Sequence, residues 1–113
     1  IIEFNNESSS FFLKAYLQPD FCCLSFPSSY KRARKNSIDL FNSILLKKVA
    51  KINAYENERA FVIELINKQR LFFKMFGNQS NVILFDNGEI QEIFKNSFKN
   101  DFSIRLNSLK YLI

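Results

Sequence analysis

Between Tyr55 and Phe94, apolar and polar positions alternate in short runs separated by polar breaks. In residues 60–66, Phe61, Ile63 and Leu65 alternate with Val62, Glu64 and Ile66; in residues 71–76, Leu71, Phe73 and Met75 alternate with Phe72, Lys74 and Phe76. A period of two marks strands with two distinct faces. Residues 82–85 and 89–94 are two further runs, flanking Asp86-Asn87-Gly88. Asn-Gly between apolar runs predicts a type I′ hairpin, because both central residues of that turn need a positive φ. The stretch therefore reads as a β-meander, interrupted by Glu58-Arg59 and by the turn Gly77-Asn78-Gln79-Ser80-Asn81.

The same pattern predicts strands over residues 1–4, 11–17, 21–26 and 49–55, with a turn of small polar residues at 5–10 and a bend at Pro19-Asp20. One helix is expected over residues 38–47. Ser37 is placed to cap it, Asp39 to sit in its first turn, Ile38, Phe41, Ile44 and Leu45 to form its apolar face, and Lys47-Lys48 to end it. Leu106, Leu109 and Ile113 recur at helical spacing after Asp101, with no stop signal. These elements predict an α+β domain: seven or eight short, mostly antiparallel strands in two facing sheets, with one main packed helix.

Composition narrows the chemistry. The 113 residues suffice for one domain, and the core must be built from phenylalanine, with 14 Phe and no Trp. The absence of histidine removes Ser–His or Cys–His catalysis, histidine metal sites and the usual pH switch. Cys22 and Cys23 are adjacent, poorly placed to bridge each other and too few for a closed zinc site; they read as buried thiols in a reducing compartment. Only two glycines occur, and there is no phosphate-cradling motif or evident carboxylate pair, so no enzyme activity and no cofactor is expected. No run approaches a membrane span. The start at Ile1, within an apolar run, reads as part of a longer protein.

A net charge of +5 permits a polyanionic partner. Its densest part is Lys31, Arg32, Arg34 and Lys35, either a solvated loop or a phosphate-contacting patch. Glu58-Arg59 reads either as a strand-end ion pair or as a rigidly mounted pair facing a nucleic-acid backbone or base edge. The 77–81 turn is open to a similar choice between a structural turn and a binding loop.

Residues 73–85, Phe-Lys-Met-Phe-Gly-Asn-Gln-Ser-Asn-Val-Ile-Leu-Phe, resemble the Met-Gly-Arg-His-Ser-Asn-Ile-Ile-Leu signature of the NFACT-N domain. This is the N-terminal domain of the NFACT family, which includes RqcH-like proteins long labelled fibronectin/fibrinogen-binding. Asn57-Glu58-Arg59-Ala60-Phe61 sits where the family has an Asp-Arg pair before a strand. Residues 19–26 and 32–37 resemble the segment leading into the family's helix. Glu58 departs from the family's aspartate, and Asn78 and Gln79 replace its arginine and histidine, while Ser80 and Asn81 are retained.

The resemblance implies part of a larger protein with helix-hairpin-helix, coiled-coil and C-terminal NFACT-R regions. It also implies a fold similar to the N-terminal sandwich of formamidopyrimidine-DNA glycosylases, without the N-terminal proline nucleophile. The function it implies is cytoplasmic ribosome-associated quality control. There the family engages tRNA and the large ribosomal subunit carrying peptidyl-tRNA and supports template-free tailing of stalled chains, with Glu58 and Arg59 inheriting the tRNA contact. The alternative is a fibronectin-binding surface adhesin.

Overall fold

The computed structural model describes residues 1–6, 8–18, 21–28, 40–56, 58–75, 80–95, 101 and 104. Among them the fold is two antiparallel sheets. β1 (Ile2–Asn5), β2 (Ser10–Gln18) and β3 (Phe21–Ser25) form a three-stranded sheet with β2 in the middle. β4 (Val49–Ala54), β5 (Ala60–Leu65), β6 (Gln69–Lys74), β7 (Asn81–Asp86) and β8 (Glu89–Ile93) form a five-stranded meander in chain order.

Local chemistry sets the turns. Asn87 and Gly88 have φ of 54° and 85°, the two positive values a type I′ hairpin requires. Between β5 and β6 the Lys68 amide donates to the Leu65 carbonyl at 3.1 Å, and Lys68 adopts φ 70°. Asn6 closes the β1–β2 turn, its Oδ1 accepting from the amides of Ser8 and Ser9, each at 2.9 Å. Its short acceptor side chain replaces the missing ladder partner.

The core lies on both faces of the meander. On one face Ile63, Leu65, Leu71, Phe73, Val82 and Leu84 pack against Leu13 and Leu17 of β2, so this is the layer between the sheets. Phe61 and Phe73, directly opposite in register, stack with centroids 4.5 Å apart. On the far face Tyr55, Val62, Phe72, Ile83 and Phe85 form a second cluster, joined by Ile90, Ile93 and Ile104. Phe72 meets Tyr55 and Phe85 edge to face, at 5.6 and 6.3 Å. The phenylalanines thus serve two layers rather than one.

The expected α+β class is corrected: the described residues are all-β, with no α-helix. Residues 38–39 lie outside them, and residues 40–47 hold only one 3-10 turn, Asn42–Ile44. Phe41 and Leu46 flank it with φ of 58° and 66°, values an α-helix cannot contain. Long-range bonds hold the turn in place: the Phe41 amide donates to Glu92 Oε2 at 2.9 Å, and Gln69 Nε2 donates to Ser43 Oγ at 3.0 Å. Phe41 and Ile44 do reach the core, whereas Leu45 is exposed. The helical spacing expected from residue 101 onward lies outside the described residues, apart from Asp101 and Ile104.

Candidate nucleic-acid interface

The site is built at one end of the five-stranded sheet, where β4 and β6 finish and β5 and β7 begin. The Tyr55 amide donates to the Ala60 carbonyl at 3.1 Å, turning the chain from β4 into β5. The Met75 amide donates to the Arg59 carbonyl at 2.8 Å, extending the β5–β6 ladder by one rung. Glu58 and Arg59 are exposed on this rigid mount. Among the described residues neither takes part in an ion pair. The chain leaves Met75 for the signature turn and returns at Ser80, so the two punctuation points of the meander share one end of the sheet.

Gly77, Asn78 and Gln79 lie outside the described residues, as do Lys31, Arg32, Arg34 and Lys35. The rest of the signature is internal: Ser80 and Asn81 have no solvent-exposed surface. Asn81 Oδ1 accepts from the amides of Lys95 and Val82 at 2.8 and 3.0 Å. Its Nδ2 donates to the Lys95 carbonyl at 2.9 Å and to Asp101 Oδ2 at 2.8 Å. Asn81 therefore ties the start of β7 to the chain beyond β8. Ser80 Oγ is buried without a hydrogen-bond partner. Of Glu58, Arg59, Ser80 and Asn81, only Glu58 and Arg59 are exposed.

The motif reading missed a buried polar network. Lys74 Nζ lies 2.5 Å from Asp101 Oδ1, both side chains almost wholly buried. Lys95 Nζ donates to the Leu17 carbonyl, joining the two sheets. At the opposite end of the same face, Glu64 lies 3.3 Å from Lys51 Nζ and 2.9 Å from Arg70 Nε, in one cross-strand row. The signal was present at Lys74: it shares a period-two face with Phe72, so once that face is buried its ammonium needs a carboxylate partner.

Elsewhere, Lys14 Nζ sits 4.8 Å from the Tyr16 ring centroid. A side-chain hydrogen bond with Lys14, then one with Ser25, holds the Tyr16 phenol below the usual tyrosine range. The cysteines are half-buried rather than buried as expected: Cys22 packs on the inter-sheet core, and the alternation of β3 sends Cys23 to the other side. Among the described residues no cluster of metal-ligating side chains occurs, and no helix is long and apolar enough to cross a membrane. Compared with known proteins, the chain matches no family model, no curated protein and no solved structure.

Proposed function

We propose that this chain is an RNA-binding module that engages tRNA and the large ribosomal subunit carrying peptidyl-tRNA, acting as a binding surface rather than an enzyme. The reading rests on the resemblance to the NFACT-N domain, and one observation carries it: exposed Glu58 and Arg59, outside any ion pair, fixed by the Met75–Arg59 backbone bond beside the signature turn. An arginine fork held on a strand end can donate two parallel hydrogen bonds to a phosphate or to a base edge. Glu58 can accept from an exocyclic base amine on an unpaired nucleotide. The basic run Lys31 to Lys35 adds attraction to phosphates without reading sequence. Ser80 and Asn81 shape the frame and do not touch RNA. On this reading the protein works in the cytoplasm, in ribosome-associated quality control.

The test co-sediments the protein with large subunits carrying peptidyl-tRNA and scores co-purifying tRNA. Arg59→Ala is expected to keep the subunit and lose roughly tenfold or more of the tRNA, the discrimination of one bidentate contact. Binding of wild type is expected to fall steeply with salt. Equal tRNA recovery by wild type and variant overturns the role of Arg59. Failure to sediment at low salt, with salt-insensitive retention on immobilised fibronectin, favours the adhesin instead.

A further inference from the structure

The outer edge of the meander differs from the rest of the sheet. β4 pairs with β5 on one side and has no strand on the other among the described residues. Ile52 lies opposite Ile63, on the face that elsewhere packs under the three-stranded sheet, yet it is 60% exposed. Val49 on the same strand, and Leu45, Leu46 and Ile66 at its start, are exposed as well. Leu46 is 102% exposed and held at φ 66°, and no contact among the described residues accounts for an apolar residue in that conformation. The Ile66 amide donates to the Lys48 carbonyl at 3.0 Å, which joins the turn and the strand into one ledge.

Charge selects what the ledge can receive. Lys47, Lys48 and Lys51 are exposed, and residues 45–55 contain no carboxylate. On the far face, Lys51 is the outermost described member of the Lys51–Glu64–Arg70 row. A second copy of this chain would bring lysine against lysine, and the register irregularity between Val49 and Lys51 further discourages self-pairing. A strand from a different protein avoids the like-charge contact if its alternate residues are acidic.

We propose that the β4 edge, from Lys51 to Ala54, is a docking strand for an extended segment of a partner protein in which apolar and acidic residues alternate. Backbone hydrogen bonds extend the sheet by one strand. The apolar residues of the segment lie beside Ile52 and the ledge, and its carboxylates lie on the Lys51 side. The period of two in the ligand matches the period of two in β4. This inference does not rest on the RNA reading, because it uses the backbone edge of β4 with Lys51 and Ile52 rather than Glu58 and Arg59.

The experiment uses fluorescence anisotropy of a labelled ten-residue peptide of alternating Glu and Val, titrated with the protein. Three comparison peptides accompany it: five Glu followed by five Val, the alternating peptide N-methylated at every second residue, and one of alternating Lys and Val. The alternating Glu–Val peptide is expected to bind roughly tenfold or more tightly than each of these, and Lys51→Glu to remove that preference while circular dichroism and Arg59-dependent tRNA retention stay unchanged. Ile52→Asn is expected to weaken binding in the same direction. Equal binding of the alternating, block and N-methylated acidic peptides overturns the proposal in favour of simple charge attraction. Absence of binding, concentration-dependent dimerisation lost in Ile52→Asn, or capture by phosphatidylserine vesicles lost in Leu46→Lys overturns it in favour of a buried, self-associating or membrane-facing edge respectively.

Discussion

The two faces of the five-stranded sheet solve burial in different ways. The inter-sheet face is apolar from Phe61 to Leu84, and its stacked Phe61–Phe73 pair meets Leu13 and Leu17 with no charged residue in the cluster. The far face is graded: a Lys51–Glu64–Arg70 row at one end, Val62, Phe72 and Ile83 in the middle, and Lys74, Asn81 and Asp101 at the other end. Apolar packing is non-directional and tolerates small shifts. A buried ion pair is directional, so it specifies where the chain beyond β8 must sit even when it adds little net stability. Both faces bury apolar side chains, and the far face adds directional polar pairs that fix position.

That contrast can be broken most directly at its two strongest points. Phe73→Ala is expected to cost about 3–5 kcal/mol in urea unfolding, with little dependence on salt, because the loss is transfer plus cavity. Asp101→Leu alone is expected to cost about 3–5 kcal/mol, leaving Lys74 as an uncompensated buried cation, while Lys74→Met with Asp101→Leu recovers most of the loss. A double variant as unstable as the worse single variant removes the positional role assigned to the pair. Glu64→Gln is expected to cost about 1–2 kcal/mol, less in high salt, since it leaves Lys51 and Arg70 facing one another across a half-open row.

The smallest effect lies outside both faces and serves as a control. Tyr16 should titrate below the usual tyrosine range by NMR, and Lys14→Met should move it back up, since its first cause is the side-chain hydrogen bond with Lys14. A phenol whose folded value lies below its unfolded one adds stability at alkaline pH, above the unfolded value. That increment disappears as pH falls through the folded value. Unfolding at neutral pH should therefore be unchanged by Lys14→Met.

The strands were legible because alternation survives whatever the sheet packs against. The Asn87-Gly88 turn was legible because its backbone demand is local. The helix over 38–47 failed for a related reason. Phe41 and Ile44 are three residues apart, a spacing that places both on one side of a 3-10 turn as well as of an α-helix. The acceptor of the Phe41 amide is Glu92, 51 residues away, which no local pattern reveals. For the candidate site the sequence shows residue types and order but not exposure: Glu58 and Arg59 are exposed at a strand end, whereas Ser80 and Asn81 are interior. The partners of Asn81, Lys95 and Asp101, lie 14 and 20 residues further along the chain, beyond the reach of any local pattern.

The lock between Lys74 and Asp101 also has a direction in time. A growing chain presents Lys74 27 residues before Asp101. The hairpins of the meander can pair as soon as each is synthesised, since neighbours in the sheet are neighbours in the chain. Its far side cannot close then, because the ammonium has no counter-charge to enter with. Until Asp101 follows, the far face around Phe72, Ile83 and Phe85 lacks the carboxylate that neutralises Lys74 in the finished fold.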